Sequence, residues 1–377
     1  MSFLNEISLD DETSLQVADP GHMLRSTADA GAQIRRSVGL WDPSWISSAV
    51  ADGRPRSVVV VGMGGSGISG DALSALCGTG CPVPLTTLRG YTLPGWVGPL
   101  DLVIAVSCSG GTEETLGVAA QAIARGARVI GIGSANSPLH ALITSAPGTC
   151  YIPVVPGGLM PRAALWLMLT PLLLIADALG LGNFPSSVLA QAADHLDEVA
   201  VECGPASPTD DNRAKLLAQS VASSLPMVWG TGGVGAVAAY RMACQLNENA
   251  KLPVVSGGFP EVNHNQVVTF DGEFATPRTD IFHDPELDGA APTSLRLIVI
   301  RDSGEHSQDG RRADISAGLA RSRGIPVDII RSIEGHQVLR FASVIGVIDW
   351  VSVYTAIVAG VDPTPISPIT ELKDRIS

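Results

Sequence analysis

The chain has 377 residues, 45% of them hydrophobic and 16% charged, with a mean hydropathy of +0.27. That is enough apolar material for two cores of roughly 100–200 residues each, and it excludes disorder over most of the length. Lys and Arg total 24 against 37 Asp and Glu, a net charge of −13 that repels nucleic acid and anionic membrane surfaces. Neither is expected as a partner, and an anionic substrate would have to be held locally by N–H groups, hydroxyls and a few placed cations.

Residues 1–56 are of mixed polarity with helical spacing around Met23 to Val38, which predicts a helical lead-in. Ser2 to Glu12 has no basic stretch ahead of an apolar run, so no signal peptide is expected. A first α/β domain is predicted over 57–182. It opens with the β-branched run Val58 to Val61, which ends in Gly62-Met63-Gly64-Gly65-Ser66-Gly67, as a buried parallel strand feeding a helix should. Further strands are predicted at Leu85 to Leu88, Leu102 to Val106, Arg128 to Ile132 and Thr149 to Val154. The third runs into Ser107-Cys108-Ser109-Gly110-Gly111-Thr112 and a helix start at Glu113. The apolar stretch from Ala163 to Ala176 contains Thr170 and Pro171, and is short enough to suit a buried helix better than a membrane span.

Glycines, prolines and a polar cluster at Thr209 to Asn212 mark a connection over 183–212 with a helix around Val188 to Val201. The pattern then restarts in a second domain, 213–377. Pro226 to Trp229 enters Gly230-Thr231-Gly232-Gly233-Val234-Gly235, with strands predicted at Leu295 to Ile300 and Val327 to Ile330 and a helix at the C-terminus. Residues 271–293, with three prolines, read as an insertion or surface loop. The fold class expected is α/β: two doubly wound parallel sheets, each three-layer α/β/α, with helical N- and C-terminal segments.

The six cysteines form no C-x-x-C pair or zinc spacing and read as reduced thiols of a cytoplasmic protein. His22, His140, His195, His283, His306 and His336 lack ligand-like spacing, so no metal is expected. The literal G-x-G-x-x-G at Gly62 fits a dinucleotide site or a plain tight turn. A dinucleotide site also wants an acid for the ribose some 20 residues on, and only Arg89 stands near there. The stretch Ser107 to Thr112 says more. Three hydroxyls and several free N–H groups at the carboxyl end of a strand suit a phosphate monoester, whereas a simple helix cap needs one hydroxyl.

Gly62 to Gly67, Ser107-x-Ser109-Gly110-x-Thr112-Glu113-Glu114-Thr115, Pro161-Arg162, Asn247 to Lys251, Glu261-x-Asn263-His264-Asn265, Gly360-x-Asp362-Pro363 and Leu372-Lys373 occur in this order. Together they resemble the bifunctional phosphoglucose/phosphomannose isomerase family of the sugar isomerase (SIS) fold, from about Val58 to Lys373. The resemblance implies an aldose–ketose isomerase acting on glucose or mannose 6-phosphate and fructose 6-phosphate, with no cofactor. By it Gly64, Gly65, Ser66, Ser107, Ser109 and Thr112 hold the phosphate, Glu248 moves the proton, His264 assists ring opening, and Arg162 and Lys373 stabilise charge. It also implies a homodimer with a composite site, in which His264 serves the partner subunit. Cys108 and Gly111 stand where that family often has an aromatic residue and Asn, and Gln266 stands where it commonly has an acid. The rival reading is a regulatory protein that binds sugar phosphate in the same pocket without turnover.

Overall fold

The structure, a computed structural model, describes residues 9–275 and 293–376, so most of the loop expected at 271–293 lies outside the described residues. The chain forms two compact units, one of Asp29–Asp197 and the other of residues up to Ala28 together with those from Glu198 onward. It opens with α1 (Glu12–Ala18), α2 (Met23–Ala28) and α3 (Ala30–Leu40); the helix expected across Met23 to Val38 is two helices that part at Asp29.

The unit Asp29–Asp197 continues through α4 (Ser47–Ala51), β1 (Val58–Val61), α5 (Gly64–Cys77), β2 (Leu85–Leu88) and β3 (Leu102–Ser107). Then come α6 (Glu113–Ala124), β4 (Arg128–Ser134), α7 (Pro138–Ser145), β5 (Cys150–Val154) and α8 (Leu165–Ala178), followed by α9 (Ser186–Cys203), whose last turns from Glu198 belong to the other unit. The strands pair in parallel in the order β2-β1-β3-β4-β5. Every residue of β1 and β3 is buried, because a parallel sheet is covered on both faces and its central strands meet no water. Val59, Val61, Val103 and Ala105 from the sheet pack with Val118 and Ala119 of α6 and Ile143 of α7. Asp101 anchors the entry to β3, fully buried and accepting bonds from Arg56 Nε (3.0 Å), Ser57 Oγ (2.8 Å) and the Gly98 N–H (2.9 Å).

The other unit contains α10 (Arg213–Ala222), β6 (Ser224–Gly230), α11 (Gly232–Gln245), β7 (Val255–Gly258) and β8 (Ser294–Arg301). It ends with α12 (Ser307–Ser322), β9 (Val327–Arg331), α13 (Gln337–Val358) and α14 (Ser367–Ile376). Its strands are again all parallel, in the order β7-β6-β8-β9, which retraces β2-β1-β3-β4. The repeat read from the two glycine turns is thus a repeat of topology. Helix α13 is 22 residues long and apolar enough to cross a bilayer, yet 89% of that apolar stretch is buried within the fold. It packs on α10 and α11, and its Asp349 takes a bidentate bond from the buried Arg241 at 2.9 and 2.6 Å. In both sheets the winding reverses direction between the first strand and the third, and the crevice outside the carboxyl ends at such a point is where open α/β sheets bind ligands.

Candidate active site

The loops after β1 and β3 stand side by side at the reversal point of the first sheet, and each opens a helix. Met63 precedes α5 and Thr112 precedes α6, and neither side chain caps its helix. A helix start leaves up to four N–H groups unmet and carries a partial positive charge, so two uncapped starts on adjacent strands favour an anion. Thr112 is not the ordinary helix cap its sequence position allowed. Its hydroxyl lies 2.9 Å from Ser107 Oγ, which also accepts the Gly110 N–H at 3.0 Å. Ser109 is exposed, and its Oγ accepts the Gly111 N–H at 3.3 Å.

This turn depends on Gly110, whose φ is +69°; a Cβ there would meet Ser137 Oγ at 2.0 Å. In the glycine turn Gly64 has φ +53°, and Ser66 is buried with its N–H on the Met63 carbonyl. A Cβ on Gly65 would come 2.9 Å from the Pro161 carbonyl oxygen and 3.6 Å from Arg162 Cα, so the segment bearing Arg162 packs on the glycine turn itself. Arg162 is only 3% exposed. Arg89, which stands near where a dinucleotide site would want its ribose acid, is paired with Asp71.

The loops after β6 and β8 hold the matching position in the second sheet, but there the protein supplies its own anion. Asp302 is 4% exposed, and its N–H donates to Thr231 Oγ1 at 3.0 Å. Its carboxylate lies 3.1 Å from Arg340 Nε and accepts the Gly304 N–H at 3.3 Å and the Ser332 hydroxyl at 3.4 Å. Burial pushes its pKa up, with Arg340 pulling the other way. Helix α12, which follows β8, is capped as well, Nδ1 of His306 accepting a first-turn N–H at 3.2 Å, whereas α11, like α5, has no side-chain cap. Between the two repeats, the crevice with both helix starts uncapped and a hydroxyl-lined turn belongs to the first.

Glu248 is half-buried on Leu246–Ala250, a π-turn that ends α11, and such turns gather at functional sites. Next to it, Asn249 donates to Ser352 Oγ at 2.9 Å and ties the turn to α13. His264 ends the short 3₁₀ turn Glu261–Asn263 and is exposed. That turn is braced by its neighbours, Asn263 donating to Ser316 Oγ at 2.7 Å and Asn265 to Glu261 at 2.7 Å. Lys373 is exposed on α14, a helix with no buried residue. Among the described residues no three His, Cys, Asp or Glu side chains cluster as metal ligands.

A Caldicellulosiruptor bescii protein named bifunctional phosphoglucose/phosphomannose isomerase is 32% identical over 320 residues, 85% of this chain and 89% of its own. This chain belongs to the bifunctional phosphoglucose/phosphomannose isomerase family. A relative of the same name from Aquifex aeolicus is 29% identical over 85% of this chain and 90% of its own. The family described as bacterial phospho-glucose isomerase C-terminal SIS domain matches residues 210–376. The fold is shared with the C-terminal domain of glucosamine-fructose-6-phosphate aminotransferase from Francisella tularensis. That likeness has a TM-score of 0.64 at 12% identity, over 90% of this chain and 97% of that one.

Two of the departures from the family pattern have structural accounts. Gln266 accepts the Trp229 indole N–H at 2.6 Å and donates to the Ser256 carbonyl at 3.0 Å, stitching β6 to β7. The Cys108 thiol is buried, which pushes its pKa up to about 11, and its backbone carbonyl accepts the Ser134 hydroxyl at 2.7 Å. It is an inert thiol. Sequence reasoning missed Asp302 and, though it met Lys251 in a family motif, gave that lysine no role. Aligning the two repeats strand by strand would have found the first, since Arg301-Asp302-Ser303 follows β8 where Ser107-Cys108-Ser109 follows β3.

Proposed function

We propose that the protein interconverts glucose 6-phosphate, mannose 6-phosphate or both with fructose 6-phosphate through a cis-enediol, without metal or nucleotide. The observation that carries this reading is the pair of uncapped helix starts with a hydroxyl-lined turn between them, in a chain of this family. The phosphate is held by the N–H groups of Gly64 and Gly65 and by the hydroxyls of Ser66, Ser107, Ser109 and Thr112. Glu248 takes the proton from C2 of the open-chain aldose and returns it to C1, while the O2 proton is released and O1 is protonated. One carboxylate serves both carbons because the proton leaves and re-enters on one face of the enediol. Arg162 and Lys373 steady the charge that grows on oxygen, and His264 protonates the ring oxygen as the sugar opens. The same reading places the protein in the cytoplasm as a homodimer, with His264 serving the partner's site.

Proton NMR of fructose 6-phosphate in D₂O tests the reaction. Deuterium at C1 of fructose 6-phosphate or C2 of the aldose is expected with the native protein. With Glu248→Gln its rate should fall by about 10²–10⁴-fold. Binding with no deuterium incorporation by the native protein would make it a sugar-phosphate sensor instead. Mixing Glu248→Gln with His264→Asn tests the shared site. Each mixed dimer should regain one complete site, and no recovery of activity would place both residues in one subunit's site.

A further inference from the structure

Lys251 closes the π-turn with φ +55° and ψ +26°, a left-handed backbone that penalises any residue bearing a Cβ and is the usual place of glycine at a helix end. Its side chain accounts for a lysine there. Nζ donates to the carbonyl oxygens of Glu248 (2.9 Å), Asn249 (3.0 Å) and Asp362 (3.0 Å), with that of Pro363 at 3.5 Å. The first two belong to the end of α11, where carbonyls lack helical partners and the dipole is negative. The other two belong to the strand of chain that leads into α14, where the Asp362 carboxylate also accepts the Thr364 N–H at 2.8 Å. Helix α14 buries no residue, so its placement depends on how that root is held. On the other side the π-turn is fixed by the Asn249 bond to Ser352.

We propose that Lys251 is a positioning residue, whose ammonium joins the helix end that carries Glu248 to the root of the helix that carries Lys373. This rests on the isomerase reading of those two residues. Without the ammonium, four carbonyl dipoles of like sign face one another; the two segments separate and both functional groups lose their fixed geometry. The phosphate-holding turns are untouched.

Lys251→Met, Lys251→Gly and Lys251→Arg test this by steady-state kinetics with fructose 6-phosphate and by amide hydrogen exchange. Lys251→Met should lower kcat by about 10–100-fold, the scale of an ångström of misplacement, with KM changed by less than about threefold. Exchange over residues 362–376 should quicken by about tenfold. Lys251→Gly removes the backbone penalty, so its melting temperature should not fall, yet its kcat should fall as far as that of Lys251→Met. Lys251→Arg should recover most of the rate. A kcat within about twofold of native in the Gly or Met variant overturns the proposal, as does a lost rate with exchange at 362–376 unchanged. Should the native protein not isomerise at all, the proposed function fails on its own, and the exchange comparison still decides whether Lys251 clamps the two segments.

Discussion

Gly110→Ala separates a glycine needed for space from one needed only for its backbone angle. At φ +69° an alanine costs about 1–2 kcal/mol in left-handed strain. Its Cβ would also stand 2.0 Å from Ser137 Oγ and 2.3 Å from Ser137 Cβ. Ser137 caps α7 by accepting the His140 N–H at 3.2 Å; because rotating its side chain moves Oγ but not Cβ, the Ser137 backbone must shift away, which forfeits a cap worth about 1 kcal/mol. The sum is about 2–3 kcal/mol, or roughly 4–12 °C in the melting of a unit this size. The phosphate loses more, because the displaced turn carries Ser107, Ser109 and Thr112; one lost charge-assisted bond is worth about 1.5–3 kcal/mol, roughly 10–100-fold in affinity. Gly64→Ala is the control: φ is +53° but nothing lies within 4 Å, so it bears the strain alone. Thermal unfolding and calorimetric titration with inorganic phosphate read both quantities. Adding Ser137→Gly to Gly110→Ala should restore the clash portion of the stability and leave the strain. Equal losses of stability in the two alanine variants, with native phosphate affinity in Gly110→Ala, would refute the reasoning.

Asp302 supplies a pH dependence of known sign. Its folded carboxyl has a raised pKa, so the folded state binds this proton more tightly than the unfolded chain, and the ionised group costs stability above that pKa. As pH falls from 7 through the raised pKa toward the ordinary value of about 3.9, the native protein should gain stability relative to Asp302→Asn; urea titrations showing a difference flat with pH would reject this. Asp349→Ala strips the bidentate partner from Arg241, which is 1% exposed, and should cost about 3–5 kcal/mol in urea unfolding. The pair Arg241→Met with Asp349→Leu should lose less than either single change, and a double loss equal to the sum of the singles would show that the two charges do not act together.

Much of this fold was readable because parallel strands covered on both faces write themselves as unbroken apolar runs. Val58 to Val61 is a strand over the range its sequence suggested, and Leu102, Arg128, Leu295 and Val327 each begin or nearly begin one; Leu85 to Leu88 is a strand as expected too, but an edge strand with no buried residue. Strand β7, Val-Ser-Gly-Gly, went unseen because it is a short edge strand with little apolar side chain to announce it. The glycine turn and the Ser107 to Thr112 loop were legible from residue type, since free N–H groups and hydroxyls at a strand end are a local property. What Asn249 bonds to, why Lys251 tolerates a left-handed backbone, and how Asp302 fills the second crevice were not. Each depends on partners more than 25 residues away in sequence: Ser352, Asp362 and Arg340.

The isomerase proposal makes one claim above the others: the sugar whose phosphate binds after β1 and β3 is the sugar whose proton Glu248 moves. A crystal structure with an unreactive acid analogue of the enediol, carrying the same 6-phosphate, measures that directly. The phosphate should lie among the N–H groups of Gly64 and Gly65 and the hydroxyls of Ser66, Ser107, Ser109 and Thr112, with the Glu248 carboxylate about 3–3.5 Å from the carbons standing for C1 and C2. A phosphate bound in that crevice while Glu248 opens onto a different surface, in the single chain and in its assembly, would contradict it.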